Sequence, residues 1–81
     1  MNYELAIMAL EGLGKSPLSL KTKDGSITIE GSPASFKEFA RLCLLMGSDD
    51  TASDEEIELR PGMHVGSDSP AVVLRIQKVS S

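Results

Sequence analysis

Residues 18–33 read LSLKTKDGSITIEGSP, and this stretch decides the fold. Leu18, Leu20 and Thr22 alternate with Ser19, Lys21 and Lys23; Ile27 and Ile29 alternate with Ser26, Thr28 and Glu30. Period-two alternation places one set of side chains on each face of a strand. Between the runs stands Asp24-Gly25, a pair that tolerates positive φ at both central positions of a type I′ turn. The spacing predicts strands at 18–23 and 26–30 joined as a hairpin. Gly31-Ser32-Pro33 then ends the second strand and opens a helix. The Ser32 hydroxyl suits the N-cap, and Pro33 suits the first helical position, where no N–H is required.

Downstream, Phe36, Phe39, Ala40, Cys43 and Met46 recur at helical spacing, with Leu42, Leu44 and Leu45 widening the apolar face and Lys37, Glu38 and Arg41 turned to water. Gly47 is placed to end the helix in the left-handed conformation. Truncation of a buried Phe36 or Phe39 to Ala would cost about 3–5 kcal/mol. Residues 47–56, GSDDTASDEE, form an exposed acidic loop. Ile57 and Leu59 alternate with Glu58 and Arg60 in a third strand, closed by Pro61-Gly62. After a Gly- and Pro-containing loop over 61–70, Val72, Leu74 and Ile76 alternate with Val73, Arg75 and Gln77 in a fourth.

Upstream, residues 3–13 (YELAIMALEGL) are rich in helix formers, with Asn2 placed to cap and Gly12 or Gly14 to terminate. The segment is apolar nearly all round, so periodicity leaves helix and strand both open, and propensity favours helix. The order (α)ββαββ, with four strands needing a lid and the 33–46 helix supplying it, predicts an α+β fold: a two-layer sandwich with a four-stranded, mostly antiparallel sheet under one main helix. Leu18–Ile29 and Leu59–Ile76 are the expected core contributors. No internal repeat is present, and residues 1–81 form a single domain near the low end of what folds alone.

Composition bounds the function. The chain has 12 acidic and 8 basic residues, a net charge of −4, and only Tyr3, Phe36 and Phe39 as aromatics. Nucleic-acid binding calls for a basic stripe and stacking aromatics; here Lys15, Lys21, Lys23, Lys37, Arg41, Arg60, Arg75 and Lys78 are scattered, and no nucleic-acid partner is expected. A membrane span needs about 20 apolar residues, which no run approaches. One cysteine, Cys43, makes no internal disulfide, and no basic residue precedes the apolar stretch at 5–10, so the cytoplasm is the expected location. On the apolar helix face, Cys43 reads as a small core hydrophobe.

Candidate chemistry is sparse. The carboxylates of the 47–56 loop lack the alternation, sixth-position Gly and twelfth-position Glu of a calcium loop, so no metal is expected there. His64, with Asp68 and Ser67 or Ser69 nearby, lacks a nucleophile elbow. Gly66-Ser67-Asp68-Ser69 has the Asp-Ser pair of acyl carrier proteins, but Ser69 precedes Pro70 and a strand rather than opening a helix. No catalytic residue and no cofactor are expected.

The stretch Ile27–Pro33 (ITIEGSP), the helix Phe36–Met46, Ile57–Pro61 (IELRP), Gly66–Ser69 (GSDS) and Val72–Ile76 (VVLRI) together resemble immunity-protein family 32 of bacterial polymorphic toxin systems, over residues 26–76. The resemblance implies a short cytoplasmic protein that binds and neutralises a toxin. No residue role is carried over on it. An acidic surface suits a basic partner, because complementary charge speeds encounter and sets specificity; Asp49, Asp50, Asp54, Glu55 and Glu56 are the expected protein-binding residues. The alternative is a structural or homo-oligomerisation domain, a homodimer for instance, because open sheet edges can pair. An enzyme, which needs a polar cluster in a concave pocket, ranks behind both.

Overall fold

A computed structural model describes residues 1–77. Its elements are α1 (Tyr3–Lys15), β1 (Ser19–Lys23), β2 (Ser26–Glu30), α2 (Pro33–Met46), β3 (Glu56–Leu59) and β4 (Val72–Arg75). The architecture is α+β.

Local signals act as their chemistry demands. Asn2 caps α1 by accepting the Leu5 N–H, and Gly12 and Gly14 lie inside that helix rather than ending it. Asp24 and Gly25 take φ of 51° and 80°, the positive pair a two-residue hairpin turn requires. At the start of α2 the Ser32 and Ser35 side chains each accept the other's backbone N–H. Gly47 differs from expectation. Its φ is −88°, and it closes α2 without the left-handed conformation, its N–H donating to Cys43 O.

The strands do not form one four-stranded sheet. β1 pairs antiparallel with β2 (Leu20 opposite Ile29), and β3 pairs antiparallel with β4 (Ile57 opposite Leu74) as two separate ribbons. The reason lies in the 61–70 segment. It runs along the outer edge of β1, where Leu18 N–H donates to His64 O, Gly66 N–H to Leu18 O, and Leu20 N–H to Ser69 Oγ at 2.9 Å. Interrupted by Gly62, Gly66 and Pro70, that segment meets the first hairpin by a single bridge, Leu18 to Val65, and folds on itself by another, Pro61 to Val65, rather than forming a ladder. β4 ends at Arg75, although Ile76 N–H still donates to Glu55 O.

The core gathers Ala6, Ala9 and Leu13 of α1, Leu42 and Met46 of α2, Ile57 and Leu59 of β3, and Leu18 and Val65 of the bridge. The small Ala6 and Ala9 let α1 and α2 pack closely. The buried side of α2 is rotated from the expected one: Ser35, Leu42 and Met46 are buried, Phe39 is half-buried, and Phe36, Ala40 and Cys43 are exposed. Cys43 is thus not a core residue. Ser35 wins an interior place over Phe36 because only a small side chain fits beside Gly31. A Cβ on Gly31 would lie 2.8 Å from both Leu18 Cδ2 and Ser35 Cβ. Glu38, expected in water, is largely covered, its side chain over Gly12 and bonded to Arg41.

Of the first hairpin, Leu18 is buried in the core and Leu20 packs against it, whereas the second strand does not supply the expected core. Every residue of β2 is exposed, Ile27 at 69% and Ile29 at 40%. The radius of gyration, 13.1 Å, exceeds the roughly 11.7 Å of a compact chain of this length, as a projecting ribbon requires.

Candidate functional site

The five carboxylates expected to bind a partner do not converge. The loop that carries them is folded against the end of α2. Ser48 Oγ and Thr51 Oγ1 lie 2.7 and 2.8 Å from the Leu45 carbonyl, satisfying an acceptor the helix leaves open. Asp50 Oδ1 accepts from Ser48 Oγ and stands 3.2 Å from the Met1 ammonium; those two contacts, the hydroxyl first, hold its carboxyl below the ordinary range. Glu55 Oε2 accepts the Tyr3 hydroxyl at 2.6 Å, and that bond, then the Glu55 charge, pushes the Tyr3 hydroxyl up. Glu56 pairs across the β3–β4 ribbon with Arg75 at 3.2 Å. Asp49 and Asp54 make no side-chain hydrogen bond or ion pair among the described residues. No three metal-ligating side chains cluster among the described residues either.

What the fold builds instead is a trough along α1. One end, a shallow cleft of about 380 Å³, lies between the Tyr3, Ile7 and Leu10 side of the helix and residues 55–58 at the start of β3, with Ala6 and Ile57 also lining it. Ile7, Leu10, Met63 and His64 continue into a second cleft of about 390 Å³ that reaches Glu11 and Gly62. Tyr3, Ile7 and Met63 remain more than half exposed. Glu55, Glu56 and Glu58 line the first cleft, Glu11 the second, and among the described residues Arg60 is the one lysine or arginine lining the trough.

His64 is fixed in this wall. Its Nδ1 accepts the Arg60 N–H at 3.1 Å, which places any neutral-ring proton on Nε2. Burial, and secondarily the Arg60 charge, hold its pKa below the ordinary histidine value. The trough can therefore offer an apolar floor, an anionic wall and one neutral N–H donor.

Of the expected residues, Glu55 and Glu56 belong to this surface; Asp49, Asp50 and Asp54 lie outside its lining. Sequence reasoning missed Tyr3, Ile7, Leu10 and Met63. The signal was present: a helix apolar nearly all round that buries only Ala6, Ala9 and Leu13 must leave further apolar faces uncovered. A second face of α1 shows this too, Leu5 and Met8 forming a groove with Leu44 and Leu45 of α2.

No family model, curated protein or solved structure matches this chain. No helix among the described residues is long and apolar enough to cross a membrane.

Proposed function

We propose that this chain is a protein-binding domain that receives a basic segment of a partner protein in the trough along α1, with one apolar side chain of that segment seated between Ile7 and Met63. The observation that carries this reading is the combination of exposed Tyr3, Ile7 and Met63 with the carboxylates of Glu55, Glu56, Glu58 and Glu11 in one continuous trough. Contiguous exposed apolar surface rimmed by polar groups marks interaction sites, and a buried apolar anchor inside a charged rim is how such sites divide affinity from specificity. A toxin-neutralising role in the cytoplasm, as the resemblance to immunity-protein family 32 implies, fits a basic partner. The role is binding rather than catalysis.

The test is capture from the native cell with the tagged chain as bait, eluted by rising salt, in parallel with Ile7→Asp and with Glu56→Lys/Glu58→Lys. A stoichiometric basic protein is expected on the wild type. It should be absent on Ile7→Asp and should elute at lower salt from the double variant. Equal capture by all three baits sinks the trough as the binding surface.

A further inference from the structure

The β1–β2 hairpin has two unlike faces and two unlike edges. Leu20, Thr22, Ile27 and Ile29 share one face, and Ser19, Lys21, Lys23, Ser26, Thr28 and Glu30 the other. The edges follow from the turn. In a two-residue hairpin the flanking pair, here Lys23 and Ser26, exchanges backbone bonds, and alternation then bonds Lys21 with Thr28 and Ser19 with Glu30. Leu20 and Thr22 point their backbone groups outward from β1, and Ile27 and Ile29 outward from β2. The outer edge of β1 is taken: Leu20 N–H donates to Ser69 Oγ. The outer edge of β2 makes no backbone hydrogen bond to any other described residue. Within β2 that edge carries no Lys, Pro or bulge, and its one charge, Glu30, stands at the end of the strand.

We infer that β2 pairs antiparallel with β2 of a second copy of this chain, about a two-fold axis through Thr28, making a four-stranded sheet across the dimer. The register is self-complementary at every level. Ile27 falls opposite Ile29 of the other copy, and these are the two residues whose N–H and C=O point outward, so both ends of the pairing form closed hydrogen-bonded pairs. On the apolar face the rows read Leu20–Ile29–Ile27–Thr22 in both directions, bringing four exposed isoleucines together where cross-strand β-branched pairs stabilise a sheet. On the polar face Glu30 meets Ser26, with Lys23 beyond it, and no like charges stand opposite. A two-stranded ribbon with an open apolar face is marginal alone, whereas added strands make it stable. The isologous contact is the commonest way soluble chains assemble. β2 lies apart from the trough on α1, none of its residues lining either cleft.

Sedimentation across a concentration series, on the wild type and on Ile27→Lys/Ile29→Lys, tests this. Both side chains are exposed in the single chain, so the variant retains its fold, checked by its circular dichroism. The pairing would set the introduced ammonium groups of the two copies directly opposite one another, and the dimer dissociation constant is expected to rise by more than about tenfold. A second variant reads the register. Thr28→Cys, in a Cys43→Ser background, puts the two new thiols at a non-hydrogen-bonded pair about 4.5 Å apart between Cα atoms, close enough for a disulfide. Oxidation should give a covalent dimer quantitatively. A wild type that stays monomeric throughout, a dimer indifferent to the lysines, or a Thr28→Cys chain that oxidises no faster than an Ala34→Cys control each overturns the inference.

Discussion

His64 donates its neutrality to the fold. Because burial and Arg60 lower its pKa, the folded chain binds fewer protons than the unfolded one between the folded value and about 6.5. Its stabilising contribution is complete above that upper bound and is lost as pH falls toward the folded value. Denaturant midpoints should therefore drop between about pH 7.5 and 5.5 in the wild type and drop less in His64→Asn. Equal slopes in the two proteins would show that His64 titrates alike in both states. The depressed Asp50 carboxyl acts the same way but in a lower window, beneath about pH 4, and does not confuse the comparison. At this scale the sequence was legible where partners are close along the chain, as at Ser32, Pro33, Asp24 and Gly25. It was silent where they are distant. Nothing local in Tyr3 points to Glu55, or in Leu20 to Ser69; such pairs exist only once the chain has folded back.

At the scale of elements, α2 shows how an ample hydrophobic face misleads. Its Phe, Leu, Cys and Met residues permit several buried stripes, and periodicity favoured the one containing Phe36 and Cys43. Packing chose Ser35, Leu42 and Met46, because α2 must approach the Gly31–Leu18 corner closely and a phenyl ring would not fit. The energies should follow the structure. Leu42, fully buried, should lose about 2–5 kcal/mol on truncation to Ala. Phe36, 42% exposed, should lose well under the roughly 3–5 kcal/mol of a buried ring. Equilibrium urea unfolding of the two variants decides the matter, and a reversed order would restore the phenylalanine stripe as the core face. The helix at 3–15 was legible from composition, whereas its environment was not, since a segment apolar on every side carries no mark of which side is covered.

For the whole molecule, strand positions were readable and their assembly was not. Alternation identifies a strand but not its neighbour, and here the 61–70 segment, written as a loop by its glycines and prolines, occupies the β1 edge, so the four strands expected in one sheet form two ribbons instead. Amide exchange should map the consequence. Leu13 and Leu42 should exchange slowest, in step with global unfolding. Ile27 and Ile29 should exchange almost freely in dilute solution and become protected as concentration rises, while Thr28, bonded to β1, changes less. Concentration-independent rates at Ile27 and Ile29 would count against the paired edge.

The bridge between Leu18 and the 64–66 segment also has a temporal meaning. The first ribbon closes through the two-residue Asp24-Gly25 turn, and the second through the longer connection between Leu59 and Val72, which carries the 64–66 segment itself. Leu18 and Gly66 stand far apart along the chain, so the entropy of closing that long loop must be met before their bonds return anything. Loop-closure entropy therefore predicts that the bridge forms after the first hairpin and the helices, so Val65→Ala should speed unfolding while leaving the folding rate nearly unchanged, and a slowed folding limb in stopped-flow kinetics would place the bridge early instead. Interactions absent from the transition state chiefly govern how fast a protein comes apart, so the clasp acts as the latch on the native state's lifetime, releasing early when the chain unfolds and leaving the rate of its formation to the rest.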